Sequence, residues 1–96
     1  MAKIWTHGVF TVKPGREAEF AAGWSELAPI GERLGSGQPT LLRDRDRPNV
    51  FRSFGPWPNI ETIERFRAEI MPRIRAMDAL LEGFEVFTLD EVYPGD

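Results

Sequence analysis

One side chain in this sequence can move a proton near neutral pH: the single histidine, His7. Its neighbours along the chain, "IWTHGVF", are apolar and aromatic, so it sits inside a structural element rather than in a loop. Its two possible jobs are general acid–base work and a hydrogen-bonded structural role. There is no cysteine, which removes thiolate catalysis, disulfides and Cys-based metal sites. One histidine with scattered carboxylates does not make a dedicated metal site, so no metal is expected. Ser25, Ser36 and Ser53 have no nucleophile motif around them. The glycines of "GERLGSG" follow a helical pattern instead of a strand, so a dinucleotide fingerprint fails on context. No flavin or nicotinamide motif is present, and no cofactor is expected.

The other chemistry-bearing residues are rings. The stretch "VFRSFGPWPN" places Phe54 and Trp57 at a strand end. Trp24 and Phe66 lie on the apolar stripes of two helical segments. Together they suit the wall of an apolar small-molecule pocket between helices and sheet. The plainer role for each ring is core packing, although tryptophan is seldom fully buried and its N–H needs an acceptor. Arg52, with Arg43 as an alternative, could stabilise a bound anion if it points inward, and otherwise faces solvent.

Six elements must position these groups. Residues 3–13, "KIWTHGVFTVK", read as a strand that ends at the turn signal Pro14-Gly15. One face carries Ile4, Thr6, Gly8, Phe10 and Val12, the other Trp5, His7, Val9 and Thr11. Both faces are apolar, so both should be covered. Residues 16–28 form a helix with Phe20, Trp24 and Leu27 on one stripe, ended by Pro29 and Gly31 before a loop over 30–39. Two short strands, 40–43 and 50–54, flank the hairpin turn "DRDRPN". Apolar residues Ile60, Ile63, Phe66, Ile70, Ile74 and Met77 mark a second helix over 59–82, capped by Asn59. Pro72 should kink or split it, and Gly83 should follow its C-terminus. Phe84 to Val92 reads as the last strand.

The order strand–helix–strand–strand–helix–strand predicts an α+β, ferredoxin-like βαββαβ fold. Its four-stranded antiparallel sheet carries both helices on one face. The bare face calls for a second copy, a homodimer. At 96 residues the chain makes one domain, 1–96. A net charge of −3 argues against nucleic acid as a partner. No apolar run approaches a membrane span and no leader pattern is seen, so the expected location is cytoplasmic, with no membrane partner.

"GVFTVKPGREAEFAAGW", "TLLRDRDRPNVFRSFGPWPNIETIERFR" and "FEVFTLDEV" resemble the antibiotic biosynthesis monooxygenase family of dimeric α/β barrels, over roughly residues 4–92. The most telling pieces are "VKPG" at the end of the first strand and "RSFGPW" before the second helix. The resemblance implies the fold, the homodimer and a cofactor-independent oxidation of a hydroxylated polyaromatic or quinol by dioxygen. His7 would then be the base that forms the reactive phenolate, Arg52 its counter-charge, and Trp24, Phe54, Trp57 and Phe66 the walls of the substrate pocket. The alternatives are a non-catalytic barrel that binds a small aromatic and a haem-degrading relative. The haem reading is disfavoured because no histidine falls on either predicted helix.

Overall fold

A computed structural model describes residues 3–95. β1 (Ile4–Val12) leads through a short turn to α1 (Glu17–Arg33), and β2 (Thr40–Arg43) and β3 (Val50–Trp57) form a hairpin. α2 (Ile60–Met77) and a 3-10 turn (Asp78–Leu80) then precede β4 (Leu81–Asp90). All strand pairs are antiparallel, in the order β2-β3-β1-β4. This is the predicted ferredoxin-like α+β architecture. The core lies between sheet and helices: Phe10, Val12, Phe20, Leu27, Phe51, Ile70, Met77 and Leu80 form one buried cluster.

Several features differ from the sequence expectation: α2 stops at Met77 instead of 82, and β4 runs Leu81–Asp90 instead of Phe84 to Val92. α1 runs through Pro29 and Gly31 to Arg33. Proline removes one donor, but Gly31 is buried against the Trp57 and Phe66 rings, and that packing outweighs the local break. β3 continues past Phe54 through Pro56 to Trp57. β2 covers β3 only as far as Phe54, so Pro56 occupies an edge position where its missing N–H costs no ladder bond. α2 is one helix through Pro72, which is exposed, so water can take the carbonyl that proline leaves unpaired. Gly83 is not a helix terminus: it pairs with Thr11 inside β4. Asn59 caps α2 as expected, its Oδ1 accepting from the Thr62 N–H at 2.9 Å.

Candidate functional site

Register decides which side chains share a face. Phe10 lies opposite Phe51 on β3 and Phe84 on β4, Gly8 opposite Ser53 and Val86, and Thr6 opposite Gly55 and Thr88. Phe10, Val12 and Phe51 are buried in the core, so this row is the helix-facing one. Its middle consists of small residues: Thr6, Gly8, Ser53 and Gly55. Rings close both ends. Phe20 sits 5.2 Å from both Phe10 and Phe51 by ring centroids, and Trp57 sits 5.0 Å from Phe66. The strip of short side chains leaves a cavity of about 330 Å³ under the helices. Trp24, Leu27 and Ala28 roof it from α1, and Ile63, Phe66 and Ile70 from α2.

Gly8 makes room for the Phe10 ring and the Ser53 hydroxyl that border this space. A Cβ at that position would stand 2.6 Å from the Phe10 ring and 2.8 Å from Ser53 Oγ. The exposed lining residues Arg67, Met71, Phe84 and Val86 all belong to α2 and β4, so the mouth opens between that helix and that edge strand.

Few polar groups reach the cavity, and their wiring is informative. Trp57 is buried and donates its Nε1–H to Thr6 Oγ1 at 2.9 Å. The Gly8 N–H donates to Ser53 Oγ at 3.2 Å. Each hydroxyl therefore accepts a bond, and neither donates one to another described residue. Both keep a proton to offer a bound oxygen, and each is made a better donor by the bond it already accepts. Arg67, at the mouth, is the single charged side chain in the lining among the described residues.

Four of the six residues singled out in the sequence line this cavity: Trp24, Phe54, Trp57 and Phe66. Trp57 is a buried end wall, which answers why a strand should end on tryptophan. Phe54 borders the cavity while its ring stacks on His7 at 4.4 Å, on the other side of the sheet. His7 and Arg52 are not among the lining residues. His7 pairs with Phe54 and Phe87 in the outward row, its Nδ1 is 3.1 Å from the Ser53 carbonyl oxygen, and its ring lies 5.9 Å from Phe87. Arg52 shares that row and is tied at 3.4 Å to Asp44 of the β2–β3 turn.

The position of His7 gives it no reach into its own protomer's cavity, so the base role expected for it does not follow from the geometry. Thr6, Gly8, Ser53, Gly55 and Arg67 were missed as site residues. The available signal was the run of small side chains in phase with Phe10 along β1. Among the described residues, no three His, Asp or Glu side chains gather as a metal would need.

No family model and no curated protein sequence matches the chain. Solved structures do. SnoaB, a cofactor-independent oxygenase from Streptomyces nogalater, is 28% identical, with 98% of this chain and 99% of that one covered and a TM-score of 0.78. A protein from Bordetella bronchiseptica that carries the antibiotic biosynthesis monooxygenase name is 23% identical over 96% of this chain and 99% of its own, at a TM-score of 0.82. One of the same name from Nitrosomonas europaea reaches a TM-score of 0.87 at 14% identity, covering 98% and 94%, a likeness of fold alone. With the sheet order, these likenesses show that the chain shares the fold of solved proteins that carry the antibiotic biosynthesis monooxygenase name.

Proposed function

We propose that this protein binds a flat, hydroxylated aromatic or quinol in the cavity between sheet and helices and oxidises it with dioxygen without a cofactor. The observation that carries this reading is the cavity itself: apolar rings on nearly every side, with the Thr6 and Ser53 hydroxyls free to donate at its floor. The cofactor-independent activity of SnoaB supports the reaction type. For a methylene carbon activated by a phenol, one oxygen atom enters that carbon as a new carbonyl. The other leaves as water with the two hydrogens of the methylene, and all electrons come from the substrate. The protein's part is to favour the electron-rich anion. Hydrogen bonds from Thr6 and Ser53 to the substrate oxygen stabilise it, while the aromatic walls exclude water. Trp57 holds Thr6 so that its hydroxyl proton faces the cavity.

The homodimer belongs to the same proposal. The outward row of the sheet, with Trp5, His7, Val9, Phe54, Phe87 and Leu89, is uncovered by either helix, and Phe87 and Leu89 are 42% and 43% exposed. Two such faces packed together would bury them. No described helix is long and apolar enough to cross a membrane.

Oxygen uptake by purified protein against anthrones, dihydroxynaphthalenes and benzoquinols tests the reaction. Protein-dependent uptake above autoxidation is expected. Trp57→Phe, which keeps the ring but frees Thr6, should lower kcat by about 10-fold with little change in KM. Binding of the panel without any uptake would leave a binding protein and refute the oxygenase reading.

A further inference from the structure

The mouth of the cavity carries a charge that the proposed reaction does not use. Arg67 lies on α2, one residue after Phe66 and four before Met71, both of which line the cavity with it. Its guanidinium reaches across to the edge strand and donates to Thr88 Oγ1 at 3.3 Å. Thr88 is the register partner of Thr6, so this bridge spans the mouth above the end of the cavity where Thr6 and Trp57 meet.

Arg33 is paired with Glu69, Arg73 with Glu26 and Arg16 with Glu19. Arg67 has no carboxylate within ion-pair distance among the described residues. Among the described residues Arg65 and Arg75 of α2 also lack an ion pair, and what sets Arg67 apart is that it alone of the helix arginines lines the cavity. Asp90, two positions beyond Thr88 on the same face of β4, does not pair with it. A guanidinium has five N–H donors in a planar fork, and one long bond to a neutral hydroxyl uses one of them. The other exposed residues of the lining, Met71, Phe84 and Val86, carry no charge to pair with it. A charge at the rim of a low-dielectric cleft acts more strongly on an entering anion than one on open surface.

We propose that Arg67 is a specificity-determining residue that receives a carboxylate, so that the substrate is a hydroxyaryl carboxylic acid. The rings and phenolic oxygen enter the cavity toward Thr6 and Ser53. The carboxylate stays at the mouth and takes the guanidinium fork in place of Thr88. This inference rests on the cavity being the substrate site.

Isothermal titration of 6-hydroxy-2-naphthoate and of its neutral counterpart, 6-hydroxy-2-naphthamide, whose hydroxyl and acid groups lie at opposite ends of the ring system, separates the two claims. At low salt and pH 8 the protein should bind the carboxylate about 10-fold more tightly than the amide, as expected for a charge-assisted forked pair. Arg67→Gln should erase that preference by weakening carboxylate binding more than amide binding, and Arg67→Lys should restore part of it. Added salt should shrink the preference in the wild type alone. Equal affinity for the two probes in the wild type, or a preference that survives in Arg67→Gln, overturns the role of Arg67 and leaves the cavity reading standing. If neither probe binds the wild type, the cavity reading fails and the inference falls with it.

Discussion

The two faces of the sheet are made by the same four strands and finished in different ways. On the helix-facing row, large side chains at the ends and small ones in the middle leave a defined void: Phe10, Phe51 and Trp57 frame Thr6, Gly8, Ser53 and Gly55. On the outward row the pattern is more even, apart from Arg52 and Glu85 beside Val9. Trp5, His7 and Val9 stand beside Phe54, Phe87 and Leu89, and the His7 ring is stacked between two phenylalanines. An even apolar surface suits packing against another flat surface, whereas an interrupted one suits enclosing a molecule. The difference teaches how a fold this small can serve the proposed site with one face and leave the other for the proposed second copy. The helices cover just one of them.

The largest effect should separate the faces by stability. Phe20 has no exposed surface and joins the Phe10 and Phe51 rings. Phe20→Ala should therefore cost about 3–5 kcal/mol in denaturant unfolding, the usual range for an emptied aromatic core site. Phe87→Glu on the outward row should instead change the assembly. Sedimentation should report a single chain of 10.9 kDa for the variant and twice that for the wild type. The wild-type melting midpoint should rise with protein concentration while that of the variant does not. A wild type that sediments as one chain breaks the comparison, because the outward face would then have no partner.

Next in size comes the floor of the cavity. A methyl group at Gly8 meets a ring edge and a hydroxyl at distances that real side chains do not tolerate. Gly8→Ala should destabilise by about 1–3 kcal/mol through overpacking, measured by urea titration. It should also weaken naphthoate binding, because the added carbon pushes the Phe10 ring and the Ser53 hydroxyl, both cavity lining groups, from their places. A variant that keeps full affinity would move the ligand away from the sheet floor.

Much of this organisation was legible in the sequence, and what was not has a common cause. Period-two alternation in residues 3–13 gave both rows of β1 correctly, and the 3.6-residue stripe from Ile60 to Met77 gave α2. Strand parity, however, fixes faces only relative to each other. His7 could be placed opposite Thr6 in phase, but which row the helices would cover depends on contacts between Phe10 and Phe20 that no local pattern contains. Thr6 and Gly8 read as weak points of a strand until β3 brings Ser53 and Gly55 alongside them. Arg67 reads as one more solvated helix residue until β4 places Thr88 within its reach. Pro29 and Pro56 were read as breaks because local propensity is visible in sequence, whereas the packing and edge position that override it are not.

The smallest effect lies at the rim of the outward face, where Asp44 organises the turn between β2 and β3. Its Oδ1 accepts from the N–H groups of Asp46 at 2.9 Å and Arg47 at 3.0 Å, and its other oxygen faces Arg52. The backbone bond from Arg47 is the leading cause that holds the carboxyl below its ordinary range, followed by that from Asp46. The Arg52 and Arg47 side chains add to the effect. A group whose folded pKa is lowered contributes stability above its unfolded pKa, about 3.9 for aspartate, and loses that contribution as pH falls through the folded value. Asp44→Asn keeps an acceptor for the two N–H groups and discards the charge. Its melting temperature should therefore lie slightly below wild type at neutral pH, by less than for Gly8→Ala, and the two curves should converge as the pH drops below about 4. Parallel curves down to acid would show that the turn is held by its hydrogen-bond geometry alone. Arg52 would then be anchored on the outward face by position and not by the Asp44 charge.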